Sequence, residues 1–174
     1  FEKASGIKVN VVPFSSGEAL ARVIAEKNNP RVDVLFGGPV ETFAAGVSEG
    51  VFESYKPPTF GKLPPRFRHA DGQWVAIADD PLVFMTNQKF LAEHKLSPPA
   101  SWQDLLNPAY KNMLQMADAR TSGTAVTRIF SILEVNGRDE AKAFAYMKQL
   151  RPNVQLYTKS GGGGTLAVGL GQAG

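Results

Sequence analysis

Residues 7–48 read IKVNVVPFSSGEALARVIAEKNNPRVDVLFGGPVETFAAGVS, and the alternation of patterns in this stretch decides the fold class. Ile7–Val12 is weakly alternating and rich in β-branched side chains, the signature of a buried strand. Ser15, Ser16, Gly17 and Glu18 then put a hydroxyl cap and an acid ahead of Ala19, Leu20, Val23 and Ile24 at helical spacing. Asn28, Asn29 and Pro30 stop that helix. Val32–Phe36 is a nearly continuous apolar run, as in a central parallel strand. Gly37, Gly38 and Pro39 turn it into a second helix, Pro39 to about Ser48. Strand, helix, strand, helix at this spacing predicts an α/β unit with a parallel sheet.

Outward from that unit, residues 53–72 are rich in Pro, Gly and charge and read as a surface loop. Trp74–Ala78 and Leu82–Thr86 are strand-like runs broken by Asp79, Asp80 and Pro81. Asn87–Lys95 and Ser101–Leu106 read as short helices, the second with Ser101 as N-cap and Asp104 three residues on. Met113–Met116 and Val154–Tyr157 are short strand candidates. Between them lie the two longest helical patterns, Gly123–Val135 and Arg138–Leu150, split by Asn136 and Gly137. The opening Phe1–Gly6 reads as a last helical turn closed by a glycine C-cap, which predicts a helix body upstream. Thr165–Leu170 is the final helical stretch, reached through the glycines at 161–164.

Composition narrows the function. The 174 residues are 43% hydrophobic and 20% charged, a globular balance with a real core. Nineteen basic against sixteen acidic residues leave a net charge of +3, spread along the chain, which argues poorly for nucleic acid. No apolar run approaches the length of a membrane helix. The absence of cysteine excludes disulfides, zinc–thiolate sites and a thiol nucleophile, and fits an exported protein without requiring one.

Four polar turns each follow a strand and precede a helix: Ser15-Ser16-Gly17, Gly37-Gly38, Ala119–Thr124 and Thr158-Lys159-Ser160-Gly161. Ligands of open α/β sheets gather at the carboxyl ends of strands, where helix N-termini offer free N–H groups to anions. Capping alone explains the Ser and Thr of any one turn, whereas four such turns point to a polar cleft. Asp79 and Asp80 could orient a ligand amine or hydroxyl, or cap a turn; adjacent acids on extended chain face opposite ways and make no glycosidase couple. His69 and His94 read as surface residues without metal-ligand neighbours. Gly169–Gly174 matches GxGxxG by letter but follows no strand, and no Walker loop or nucleophile elbow is present. An enzyme is therefore a poor reading.

The segments FEKASGIKVNVV, SSGEALARVIAEKNNPRVDVLFGGPVETFAAGVSEGVFESY, PLVFMTNQ, SWQDLLNPAYKNMLQMADARTSGT and YTKSGGGG…AVGLGQAG together resemble the bacterial extracellular solute-binding proteins. The nearest branch is the iron(III)-type group, which also holds binders of phosphonates, sugar phosphates and thiamine. The resemblance covers essentially the whole chain. It implies the two-lobed, periplasmic-binding-protein-like fold (type II), each lobe a mostly parallel sheet flanked by helices, and here the middle of that fold. It also implies a periplasmic protein, or one anchored outside the membrane, that hands a small solute to the permease of an ABC importer, with no cofactor and no catalytic residue. Residues 1–82 would form the first lobe, 83–87 the hinge crossing and 88–174 the second lobe. Ser15, Ser16, Gly37, Gly38 and Asp80 would face Thr121, Ser122, Gly123, Thr124, Ser160 and Gly161 across the cleft.

Several iron-binding relatives carry an acid in the turn that here reads Phe36–Pro39, and their paired tyrosines would fall beyond Gly174. Ferric iron wants phenolate or carboxylate oxygens, whereas hydroxyls and N–H groups suit oxyanions. A phosphonate or phosphorylated solute thus ranks above ferric iron. An α/β phosphoester-processing enzyme using Asp80 and Ser122 is the rival from another class, and a non-binding scaffold is a third. Two further expectations follow. The hydroxyls of Ser16 and Thr121 donate to a ligand oxyanion, and apolar strands without neighbours drive self-association of this chain.

Overall fold

The computed structural model describes residues 1–173. A single helical turn, α1 (Glu2–Ser5), ends on Gly6, whose φ of 72° is the left-handed C-cap expected of it. Helices α2 (Ser16–Ala25) and α3 (Val40–Ser48) follow. After a long irregular stretch come α4 (Gln88–Glu93), β1 (Leu114–Ala117), α5 (Gly123–Val135), α6 (Glu140–Leu150), β2 (Val154–Thr158) and α7 (Thr165–Gly169).

Side-chain caps set where two of these helices begin. Asp139 accepts the N–H of Lys142 at 3.1 Å to start α6. Asn87 accepts that of Phe90 at 3.0 Å to start α4, while its amide donates to the Val168 carbonyl at 2.8 Å and so ties α4 to α7. The expected Ser101 helix is a 3₁₀ turn, Gln103–Leu106, with the predicted capping box intact: the Asp104 carboxylate accepts from the N–H groups of Ala100 and Ser101. Those bonds hold the Asp104 carboxyl below its ordinary value.

The C-terminal half is built around one crossover. Strands β1 and β2 pair in parallel, with Gln115, Met116 and Ala117 opposite Leu156, Tyr157 and Thr158, and α5 and α6 form the connection. Its core gathers Leu105, Ile132, Ala143, Tyr146 and Leu150, with Trp102, Met116 and Val154 packed against them. Ile132 is completely buried. Two polar groups lock the rim. Asn153, 3% exposed, donates to the carbonyls of Leu105 at 2.7 Å and Asn107 at 3.0 Å. The Tyr146 hydroxyl donates to the Trp102 carbonyl, and burial pushes that phenol up to about 12.

The N-terminal half departs from the sequence expectation. Ile7–Val12 and Val32–Phe36 are extended but belong to no sheet, and Val11, Val34 and Phe36 are more than 70% exposed. Trp74–Ala78 and Leu82–Thr86 form no strands either, apart from one antiparallel bridge between Arg68 and Val75. Side-chain pattern sets conformation, but a strand also needs a neighbour to take its N–H and C=O groups, and none lies alongside among the described residues. Instead, Ile7 and Val9 turn their N–H groups to Ser5 Oγ and to the Glu2 carboxylate. The accessible surface is accordingly 12041 Å², against about 8300 Å² for a compact chain of this mass.

Smaller corrections concern Pro39, which stands at the N-cap of α3 and not inside it, and His69, which is half-buried against Trp74. His94 is exposed as expected, stacked on Phe90. The last glycine of the GxGxxG match lies outside the described residues; the remainder follows α7 and not a strand.

Candidate functional site

The four polar turns converge. Ser15 is extended at the N-cap of α2, and its hydroxyl lies 2.8 Å from both the Glu18 carboxylate and the Thr121 carbonyl, so one proton serves two acceptors. The Glu18 carboxyl is held below its ordinary value, first by that hydroxyl and then by the Ser15 N–H. The N–H of Gly17 donates to the same Thr121 carbonyl at 2.9 Å. Two residues further on, at the start of α5, the N–H of Gly123 donates to Ser16 Oγ at 2.9 Å. Ser16 therefore keeps its own hydroxyl proton free to donate elsewhere. Thr121 closes the other side, its hydroxyl donating to the Lys159 carbonyl at 2.7 Å.

The turn that carries Thr121–Thr124 is itself stiffly held. The N–H groups of Thr121 and Ser122 donate to the Asp118 carbonyl, and the N–H of Asp118 donates to Thr158 at the end of β2. Arg120 hydrogen-bonds the Asp118 carboxylate through its side chain and its N–H, which lowers that carboxyl to about 2. Behind it, Arg128 of α5 donates to the Ala117 carbonyl at 3.0 Å. Burial lowers the Arg128 guanidinium from its ordinary value, opposed by the neighbouring Tyr157 and Asp118.

Glycine makes this proximity possible. A Cβ on Gly123 would stand 2.5 Å from both Pro39 Cδ and Ser16 Oγ, and one on Gly161 would stand 2.3 Å from Thr124 Oγ1. The starts of α2, α3 and α5 and the turn after β2 are thus packed to backbone distance.

Beside this junction runs a cavity of about 1490 Å³. Ser15, Ser16, Gly37, Gly38, Ser122, Thr124, Ser160 and Gly161 line it with Glu41 and Thr127, as do the exposed Asp80 and the apolar Val34, Phe36 and Ile77. Thr121 and Gly123 are the two expected site residues that do not line it. Thr121 is spent on the junction: its carbonyl serves α2 and its hydroxyl serves Lys159. Gly123 is buried under Pro39 and Ser16. Reading by sequence missed Gly17, Pro39 and the pair Glu41–Thr127, whose Oε2 and Oγ1 stand 3.1 Å apart. The available signal for Thr127 was its place one turn after Gly123 and Thr124 on the same helix face. No titratable cluster of three or more His, Asp or Glu residues that could share a cation occurs among the described residues.

Helix starts and strand ends meeting on one polar cleft, around a parallel crossover, define a protein of the type II periplasmic binding fold, here as a partial chain. The chain belongs to the bacterial extracellular solute-binding proteins, whose family model matches residues 1–172. Its fold superposes on the periplasmic binding protein AfuA from Actinobacillus pleuropneumoniae, solved with exogenous fructose-6-phosphate bound, with a TM-score of 0.92 and 33% identity over 99% of this chain and 55% of that one. An uncharacterized protein of Haemophilus influenzae is 36% identical over 166 residues, 92% of this chain and 47% of that one. A candidate 2-aminoethylphosphonate-binding periplasmic protein of Salmonella typhimurium is 29% identical over 153 residues, 88% of this chain and 42% of its own. The chain spans about half the length of the relatives it matches. The two of these that are named for a function are periplasmic binding proteins. No described helix is long and apolar enough to cross a membrane.

Proposed function

We propose that this chain carries the ligand-binding cleft of the substrate-binding component of an ABC-type importer, and that it captures a small solute by a phosphoryl or phosphonyl group. Residues 1–82 form one lobe, 83–87 cross between lobes, and the residues from 88 on form the other. The observation that carries the reading is the polar lining of the cavity, where hydroxyls and helix N-termini from both lobes meet and the acids beside them are already engaged, Glu41 by the Thr127 hydroxyl and Glu18 by Ser15. Such an array donates hydrogen bonds and presents the positive ends of α2, α3 and α5, which favours an oxyanion over a metal cation. Ser16 donates into the cavity while accepting from Gly123. Ser122, Thr124, Ser160 and Gly161 face it from the other lobe, and Asp80 meets an amine or hydroxyl at the far end of the solute. Relatives that bind fructose-6-phosphate, or are named for 2-aminoethylphosphonate, support the same chemistry.

Calorimetry on the full chain with fructose-6-phosphate, 2-aminoethylphosphonate, inorganic phosphate and ferric citrate tests this directly. Saturable binding of a phosphorylated or phosphonate solute is expected, weakened by about 1–3 kcal/mol in Ser16→Ala. Binding of ferric iron with no response to the phosphorus compounds would establish the metal reading instead. Hydrolysis of a phosphomonoester that is lost in Ser122→Ala would establish the enzyme.

A further inference from the structure

We propose that the loop closed by Tyr55 and Gly72 is a cationic contact surface that rests on an anionic phospholipid bilayer. The positive charge of the chain is not spread evenly, as its composition suggested. Between Ser54 and Ala70 lie four of the nineteen basic residues, Lys56, Lys62, Arg66 and Arg68, and none of the sixteen acidic ones. That stretch therefore carries +4 and the rest of the chain −1. Asp71 sits just beyond it, in the turn that closes the loop. Among the described residues, none of the four cations stands in an ion pair with a carboxylate. Lys56, Lys62 and Arg66 are exposed.

The loop is held in one shape. The Tyr55 N–H donates to the Gly72 carbonyl at 2.9 Å and joins its ends. Two 3₁₀ turns, Phe60–Lys62 and Pro65–Phe67, divide it, and the prolines at 57, 58, 64 and 65 restrict its backbone. Phe60, 8% exposed, is its centre. Lys56 Nζ lies 5.6 Å and the Arg68 guanidinium 4.7 Å from the centroid of that ring, and Arg68 also donates to the Phe60 carbonyl at 2.9 Å. Arg66 stacks on Phe67 at 4.5 Å. Ordered loops of this length are uncommon and are usually functional. With the cations placed in advance, little conformational entropy is lost when anions meet them. Side-chain type favours a bilayer over an acidic polypeptide. Both guanidiniums, whose forks suit individual carboxylates, are engaged by the loop's own rings and carbonyl. The ammoniums of Lys56 and Lys62 are point charges and suit the diffuse field of lipid phosphates. Tyr55, 70% exposed, adds an amphipathic ring of the kind that settles at headgroup depth.

Vesicle flotation tests this, because it separates lipid-bound chain from chain that has only self-associated. The full chain is expected to float with phosphatidylcholine vesicles only when they also contain phosphatidylglycerol, and to be released by high salt. Lys56→Gln combined with Lys62→Gln, neither of which lines the cavity, should lower partitioning about twenty-five-fold, about fivefold for each cation removed. Lys62→Gln alone should still give the fivefold step, so any disturbance of Phe60 by the Lys56 change does not decide the result. Lys111→Gln combined with Lys148→Gln removes the same charge from exposed positions in the C-terminal half and should leave most of the binding in place. Equal losses in the two double variants would overturn the proposal, since net charge alone would then suffice. Equal flotation with neutral vesicles would overturn it too, by assigning attachment to the exposed apolar side chains, as would no flotation at low salt. Retention on immobilised polyglutamate that is lost in the Lys56/Lys62 variant, without flotation, would give the loop to an acidic polypeptide instead. No solute enters any arm, so the outcome is independent of the phosphorylated-solute reading.

Discussion

Asn153 is the most informative single position in the C-terminal half. Its amide is buried and spends both N–H groups on carbonyls, Leu105 at 2.7 Å and Asn107 at 3.0 Å, pinning the 3₁₀ turn before β1 to the entry of β2. Asn153→Leu keeps the volume and removes both donors. Each stranded carbonyl costs about 1–3 kcal/mol, and that of the exposed Asn107 counts at the low end, so the expected loss is about 2–4 kcal/mol. That is a large share of the total for a domain whose stability is about 5–15 kcal/mol. Urea titration followed by Trp102 fluorescence in a Trp74→Phe background measures it locally, because Trp102 packs on the same core. Asn153→Asp sharpens the argument. Burial and two facing carbonyls raise the folded carboxyl's pKa above its unfolded value of about 3.9. The variant's deficit is therefore smallest below about pH 3.9, where a protonated carboxyl still donates one bond, and grows as pH rises towards the folded value. A loss under about 1 kcal/mol in the Leu variant, or a deficit in the Asp variant that ignores pH, would refute the reasoning.

Three other outcomes follow from the same geometry. Because the Asp118 carboxyl is lowered to about 2, its contribution to stability is complete above the unfolded value of about 3.9 and disappears as pH falls to about 2; melting curves of Asp118→Asn should show less acid sensitivity than the parent in that window. Gly161→Ala puts a methyl 2.3 Å from Thr124 Oγ1 and should separate the turn after β2 from α5, costing about 1–3 kcal/mol and lowering affinity for fructose-6-phosphate about tenfold, as read by calorimetry. With about 3700 Å² more surface than a compact chain of its mass, and Val11, Val34 and Phe36 among the exposed side chains, this chain should self-associate at micromolar concentration; a monodisperse monomer in sedimentation velocity, melting cooperatively, would contradict that.

What the sequence made legible was local. The Ser15 cap with Glu18, the Gly6 C-cap, the span Gly123–Val135 and the Ser101–Asp104 box all depend on residues within one turn of each other, and all stand in the structure. The apolar runs at Ile7–Val12 and Val32–Phe36 state a conformation but not a partner, and their sheets fail to form for want of one. In the site, the four turns were identifiable by their glycines and hydroxyls, yet their mutual bonds were not. Thr121 looked like a ligand donor because a free hydroxyl after a strand suggests one; its capture by the Lys159 carbonyl depends on a register 38 residues away. Gly17 read as helix-start punctuation, and only the approach of Thr121 reveals why a side chain cannot stand there.

The crossover β1–α5–α6–β2 has a consequence for how the polypeptide comes together. Its contacts all close within one stretch of fewer than sixty residues, it encloses its own apolar centre, and Asn153 ties off the segment just before it, so residues 101–158 bury most of what they need from within. These closures cost less loop entropy than the bonds from residues 15–17 to residues 121–123, which span more than a hundred residues, and so form before them. This unit is thus the natural nucleus, and its amides should be the last to exchange with solvent deuterium. The residues before it reach it through the Phe84–Trp102 edge contact and the few bonds from Ser15, Ser16, Gly17 and Glu41 to residues 121–127, and they can detach and return while the nucleus persists. Unfolding of such a molecule begins at its amino-terminal end.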